Sequence, residues 1–364
     1  MSRYNRYIIN VDNLECNINL FRRLLKDKTK LCAVVKADSY GLGVHNIVPI
    51  IDKYVDCYAV ANVNEAIQIR EMGVETNILV LAPVSLEDVN LCAQNNIAIT
   101  ICNNEYLNGV IDCLHNTIKV HLKVNSGLNR FGYKNISEFN KALKLIKKTN
   151  NVVLQGVYTH FATKKSDVEY INIQKNIFNE YVSLVPKYVI KHCANSFATL
   201  LSSTNQMDMV RIGANMYGDI RAEGLPLKSV LSIKSEIIAI NTVLKNQTVG
   251  YDRTYKCNRR SKIAVVPFGY ADGMDRELSN KFYVLVNGKR ANIVGNICMD
   301  CFMIDVTDID NVYIGTDVVI LGDSYSQSIT INDIAHKLNK SPYDVLLNYR
   351  YARCDQVVVS KKGK

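Results

Sequence analysis

An alternation constrains this chain more than any other feature. Eight short apolar runs, at 31–35, 57–61, 77–82, 97–101, 118–124, 152–159, 188–193 and 209–212, are separated by longer stretches with helical spacing. Valine, isoleucine and leucine dominate most of the runs, as strands buried on both faces require. Between them, Asn62-Val-Asn-Glu65 has the form of a capping box ahead of Ile67, Ile69 and Met72. Ser85 with Asp88 marks another helix start, and Ser137 precedes Phe139, Leu143 and Ile146 at helical spacing. Eight strand-then-helix units in about 200 residues point to an α/β chain built on a (β/α)8 TIM-like barrel. A doubly wound open sheet fits eight such units less well.

After about residue 230 the texture changes. Runs at 232–243, 262–269, 282–286, 292–297, 302–306 and 317–322 read as strands, Asn287-Gly288 is a turn signal, and one helix interrupts near 331–338. The 364 residues therefore read as a barrel domain over 1–230 followed by a mostly β C-terminal domain over 231–364.

Composition removes other classes. With 48% hydrophobic and 21% charged residues the chain is neither disordered nor fibrous. No apolar run is long enough to span a membrane, and MSRYNRYIIN lacks the apolar segment of a signal peptide. The net charge of +10 favours anionic ligands, but no basic stripe interleaved with aromatics argues for nucleic acid. Eleven cysteines, mostly inside apolar runs, suit reduced thiols and a cytoplasmic location. Cys298-Met-Asp-Cys301 lacks the second pair that a zinc site needs, so no metal is expected.

In a (β/α)8 barrel the chemistry sits just after the strands. Those positions hold Lys36 after the first run, Lys123 to Arg130 after the fifth, His160 after the sixth, Asn195 and Ser196 after the seventh, and Arg211-Ile-Gly-Ala214 after the eighth. A lysine at the end of an apolar strand is desolvated, which lowers its pKa and makes its amine nucleophilic, as Schiff-base chemistry needs. Arg211 supplies a cation, Gly213 lets backbone N–H approach a phosphate, and Ser196 begins a short helix whose N-terminus favours an anion.

On these residues the sequence resembles the alanine racemases, enzymes that use pyridoxal 5′-phosphate (PLP). The resemblance covers nearly the whole chain. Ala33-Val-Val-Lys-Ala-Asp-Ser-Tyr-Gly41 is similar to the family's lysine signature, which implies that Lys36 carries the Schiff base and Tyr40 touches the phosphate. The 123–130 match implies that Arg130 holds the phenolic oxygen and the substrate carboxylate, with Lys123 a carbamylated lysine orienting it. By the same resemblance His160 lies beside the ring, Arg211 faces the pyridine nitrogen, and Ser196, Gly213, Ala214 and Tyr343 contact the phosphate. In the second domain Val249-Gly-Tyr-Asp-Arg-Thr-Tyr255 resembles the segment with the second catalytic base, Tyr251; Tyr270, Met299 and Asp300 match entry-channel and substrate-side residues.

The resemblance implies racemisation of a small amino acid, alanine or serine, by two bases on opposite faces of a planar carbanion. Lys36 serves the D-isomer and Tyr251 the L-isomer. A tyrosine ordinarily keeps its proton to about pH 10, so the family's chain from Tyr251 through His160 to Arg211 is needed to activate it. The other five histidines read as ordinary core or surface residues. A shared-site homodimer is implied, and the product would be a D-amino acid for peptidoglycan precursors. Two rivals remain: a barrel-type PLP decarboxylase of basic amino acids, against which Arg211 argues, and a non-catalytic PLP carrier, which lacks the β domain.

The chain also departs from the family. Asp38 and Leu42 stand where asparagine and histidine are usual, Asn125 and Asn129 replace aspartate and glycine, Asp252 follows Tyr251 where a small residue is usual, and Arg350-Tyr-Ala-Arg353 replaces Arg-Val-Pro-Arg. In these respects it is similar to the racemase domain of membrane-bound vancomycin-resistance serine racemases, where a membrane domain precedes the catalytic one on a longer chain. Asn348 is a candidate for altered polarity near the substrate side chain.

Overall fold

The computed structural model describes residues 4–162, 167–220, 224–349 and 351–360. They fall into two compact units. One comprises Ile18–Ser39 and Ile47–Met216; the other comprises Met1–Asn17, Tyr40–Asn46 and Tyr217–Lys364.

The first unit is a barrel of eight parallel strands: Lys30–Val34, Cys57–Val60, Asn77–Val80, Ile97–Ile101, Ile118–Lys123, Val152–Tyr158, Ile190–His192 and Met209–Ile212. From the first to the seventh each pairs with the next, and the first also pairs with the eighth. The remaining seam is closed by Asp208 N–H to Lys191 O at 3.1 Å and Arg211 N–H to Ala194 O at 3.0 Å. These strands coincide with the eight apolar runs to within two residues. Cys57–Val60 and Ile97–Ile101 are buried at every position, which is why they carry no polar alternation. Between strands the helices start on asparagine: Asn62 accepts from Glu65 N–H, Asn103 from Tyr106 N–H and Asn135 from Ser137 N–H. Asn135 is thus the cap of its helix, and Ser137 lies inside the first turn.

The second unit is a ten-stranded, mainly antiparallel sheet. Arg6–Asn10, which the sequence pattern did not single out, pairs antiparallel with Leu231–Glu236 and parallel with Asp355–Val359. The run at 232–243 is two strands, Leu231–Glu236 and Ala239–Val243. A second helix, Pro342–Asn348, follows Ile331–Leu338; it has seven residues and buries only Val345 and Leu346, too few to show a period. No helix among the described residues is long and apolar enough to cross a membrane.

Asp219 is a buried acid of this unit, 3% exposed, and its carboxylate accepts from Leu231 N–H at 3.4 and 3.3 Å. Burial raises its pKa to about 7, against the hydrogen bonds from Ser229 and Leu231. The folded protein therefore holds a proton there that the unfolded chain releases near pH 4, and stability falls as pH rises from about 4 to about 7. Asp219→Asn keeps an acceptor and removes the titration. In urea unfolding at about pH 5 and about pH 8 the variant is expected to gain on the parent at the higher pH; equal differences at both would contradict the assignment.

Candidate active site

The C-terminal rim of the barrel gathers cations around buried rings. Arg211, 3% exposed, donates through Nη1 to His192 Nδ1 at 2.8 Å and His192 O at 3.2 Å. Its Nη2 donates to Thr159 O at 2.8 Å and Cys193 O at 3.2 Å, and lies 3.3 Å from His160 Nδ1. Its Nε–H has no acceptor among the described residues. Lys123 is 2% exposed; Nζ donates to Val124 O at 2.9 Å and stands 5.1 Å from the Tyr158 ring centroid. Burial, with Arg211 and Arg130 adding, lowers its pKa to about 7. His160 is lowered to about 3 by burial and by Arg211, Lys123, Arg130 and Lys36. The barrel therefore brings Lys36, Lys123, Arg130, His160 and Arg211 into one field. None of the four lysine and arginine side chains in it has a carboxylate within ion-pair distance among the described residues. At the same rim Gly213 N–H donates to Ser196 Oγ at 3.3 Å, and Ala214 follows, buried.

Local chemistry explains two of the departures. Asn125 Oδ1 accepts from Gly127 N–H at 3.3 Å and Asn129 N–H at 2.9 Å, an acceptor's task that an aspartate would also perform. Asn129 has φ +57°, a conformation glycine favours and asparagine tolerates.

Lys36 leads into a feature with no sequence signal. The helical turn Lys36–Gly41 is left-handed: Ala37, Asp38, Ser39 and Tyr40 have φ between +52° and +58°. Four such non-glycine residues in a row cost about 1–2 kcal/mol each. Ala37 N–H donates to Glu65 Oε1 at 2.8 Å and Ser39 N–H to Val35 O at 2.9 Å, which anchors the start of the turn. Backbone strain of this kind concentrates at functional sites.

The other candidates belong to the second unit. Tyr40 lies 6.2 Å from Tyr343 and 5.9 Å from Tyr217, ring to ring. Burial pushes the Tyr40 and Tyr343 hydroxyls above their ordinary values. Tyr270, Met299 and Asp300 lie together because two loops are zipped: Tyr270 N–H donates to Cys298 O at 3.1 Å and Ala271 N–H to Met299 O at 3.0 Å. A Cβ on Gly269 would sit 2.1 Å from Met299 O, so only glycine fits there. Arg353, which the motifs did not single out as a site residue, clamps both loops through Asp272 at 3.0 Å and Asp300 at 2.6 Å; Arg350 lies outside the described residues. Tyr251 is 70% exposed and lines an open cavity of about 550 Å³ with Gly250, Cys298 and Met303. Asp252 has φ +61°, a conformation that aspartate tolerates, and Asn296 Nδ2 fixes the turn on Tyr251 O at 3.2 Å and Asp252 Oδ2 at 3.0 Å. Asn348 ends its helix exposed.

Sequence reasoning treated His121 and His192 as ordinary. His192 instead contacts Arg211, and His121 contacts His192. The available signal was alternation: His121 and Lys123 are two apart on one strand and share a face.

Known proteins match this architecture throughout. The family model of the alanine racemase N-terminal domain matches residues 9–221, and that of the C-terminal domain matches 230–357. The chain belongs to the alanine racemase family. Alanine racemase 2 of Caldanaerobacter subterraneus subsp. tengcongensis is 33% identical, over 94% of this chain and 92% of that one. The crystal structure of the Bacillus anthracis alanine racemase with bound L-Ala-P aligns with a TM-score of 0.93 at 30% identity, covering 100% of this chain and 97% of that one. The Bartonella henselae alanine racemase with covalently bound pyridoxal phosphate aligns with a TM-score of 0.87 at 25% identity, covering 98% and 99%. The rim of this family member fits such a group in its donor set: a lysine amine, cations without carboxylate partners, and an Arg211 Nε–H still lacking an acceptor.

One stability consequence tests the turn. Ser39 Oγ is buried without a hydrogen-bond partner among the described residues. Ser39→Ala removes that orphan at unchanged backbone geometry and is expected to stabilise the protein by about 1 kcal/mol in denaturant unfolding. A loss of stability would mean that the hydroxyl has a partner.

Proposed function

We propose that the protein is a PLP-dependent alanine racemase with two bases, Lys36 and Tyr251, working as a homodimer that shares its sites. The observation that carries this reading is Arg211. An arginine only donates, so a ring nitrogen that accepts from its Nε–H stays unprotonated. Arg211 thereby limits how much charge the ring draws, which favours returning a proton to carbon over decarboxylation. Bound at Lys36, PLP supplies a conjugated ring that acidifies the α C–H of an attached amino acid.

The other assignments follow from the chain's own groups. Ser196, Gly213 and Ala214 in the barrel, and Tyr40 and Tyr343 outside it, are assigned to the phosphate. Arg130 is assigned to the substrate carboxylate, with Tyr270, Met299 and Asp300 on the substrate side. His160 Nδ1 accepts from Arg211, so its ring proton is on Nε2. A neutral imidazole donating from Nε2 favours the phenolate form of a tyrosine base opposite it. The exposure of Tyr251 at 70% supports its burial by a second copy. Lys123, with a pKa of about 7, offers a neutral amine near neutral pH. Added to carbon dioxide with release of a proton, it becomes a carbamate whose negative charge faces Arg130 and Arg211. The free thiols of all eleven cysteines support a cytoplasmic setting, where D-alanine would feed peptidoglycan precursors.

Chiral analysis of product from L-alanine and L-serine in parallel tests the reaction and the substrate. Alanine turnover that is lost in Lys36→Ala is expected. Serine turnover equal or faster would move the protein to the serine-acting, resistance-type branch. No turnover of either, with a Lys36-dependent PLP absorbance, would leave the cofactor and overturn the reaction. Tyr251→Phe is expected to lower kcat by about 10²–10⁴-fold, with loss of α-proton exchange from the L-isomer exceeding that from the D-isomer. Carbon-13 bicarbonate is expected to give a carbamate resonance that disappears in Lys123→Arg; its absence from the parent would remove the carbamate.

A further inference from the structure

Arg211 is held by a chain of side chains. Its Nη1 lies 2.8 Å from His192 Nδ1, His192 Nε2 lies 2.9 Å from His121 Nδ1, and His121 Nε2 lies 3.1 Å from Gln155 Oε1. The first link dictates the rest. A guanidinium has no acceptor, so His192 Nδ1 must accept and carries no proton. The one ring proton of His192 is then on Nε2 and is donated to His121 Nδ1. His121 in turn holds its proton on Nε2 and donates it to the Gln155 carbonyl oxygen, which only accepts. Both rings are neutral in this arrangement. Burial works the same way, lowering His121 to about 4 and His192 well below its ordinary value, with the Arg211 charge adding to both.

The barrel is shaped around these rings. A Cβ on Gly156 would lie 2.3 Å from His121 Nδ1, so the neighbouring strand can carry no side chain at that point. The pairing of Ile118–Lys123 with Val152–Tyr158 slips between Val120 and His121, where the ring is admitted. Tyr158 stacks on His192 at 4.8 Å and 9°, and His121 meets His192 edge-on at 5.1 Å. The two histidines are 2% and 0% exposed, so water does not compete for their nitrogens.

We propose that His192 and His121 are positioning residues for the reaction, forming with Gln155 a one-way hydrogen-bond chain that fixes the direction of the Arg211 guanidinium. Nη1 and Nη2 are then fully engaged, and Nε–H is the donor that remains. The catalytic consequence rests on the reading of Arg211 given under Proposed function; the chain itself does not.

Two measurements on the holoenzyme test this. In protein labelled with nitrogen-15 histidine, long-range proton–nitrogen spectra are expected to show His121 and His192 with Nδ1 unprotonated and Nε2 protonated. A ring protonated on Nδ1, or on both nitrogens, would overturn the chain. In alanine racemisation His192→Phe, which keeps a ring and removes the acceptor, is expected to lower kcat by about 10²-fold with KM within about twofold, as for a group acting only in the transition state. His192→Asn, whose Oδ1 replaces Nδ1, is expected to recover about tenfold of that loss. Parental kcat in His192→Phe, or equal losses in both variants, would overturn the positioning role. A parent enzyme that does not racemise alanine would instead refute the earlier reading, and the tautomer spectra would still decide the chain.

Discussion

A buried guanidinium with no carboxylate beside it is the constraint on which this barrel depends. An isolated buried charge costs several kcal/mol unless its donors are met. Arg211 meets them with three backbone carbonyls, those of Thr159, His192 and Cys193, and with ring nitrogens of His192 and His160. Carbonyls at strand ends cannot move without moving the barrel. The side chain is therefore as rigid as the seam closed by its own N–H on Ala194 O. Its charge then sets the state of its neighbours. With burial, it helps to bring Lys123 down to about 7 and His160 to about 3. Burial and this cation together leave the rim with an amine that is about half neutral near pH 7 and a neutral imidazole.

The left-handed turn after Lys36 is the second cost that this site carries. Its conformation is tied down at one end by Glu65 and Val35, and Tyr40 at its other end is packed against Tyr217 and Tyr343. Residues held so firmly at both ends have little freedom to relax. A lysine emerging at the start of such a turn has its backbone direction fixed, as the base role proposed for Lys36 would need.

The barrel was legible because one cause, burial on both faces, produces one visible effect, eight runs of branched apolar residues. The rim residues were legible because strand ends locate them. The strand Arg6–Asn10 was not: Tyr7, Ile8 and Ile9 favour a strand, but the run is short and its partners lie more than 200 residues away. The turn at Ala37–Tyr40 was hidden because none of its four residues is glycine. His121 and His192 are core residues, as a histidine in an apolar strand suggests, but their link to Arg211 shows only once the neighbouring strands' register is known. Nothing in the sequence alone says why residue 156 is glycine; the reason is the ring beside it.

The second compact unit is assembled from three separate lengths of chain, one of them the seven residues Tyr40–Asn46. A gene cut near residue 230 would therefore yield neither piece whole. The upstream fragment would carry a strand whose sheet partners were missing, and the downstream one would lack the tyrosine that packs beside Tyr343. During synthesis, the strand Arg6–Asn10 and the Tyr40 ring must wait for more than half of the chain to emerge before their strand and ring partners exist. The last strand, Asp355–Val359, completes what the first one began.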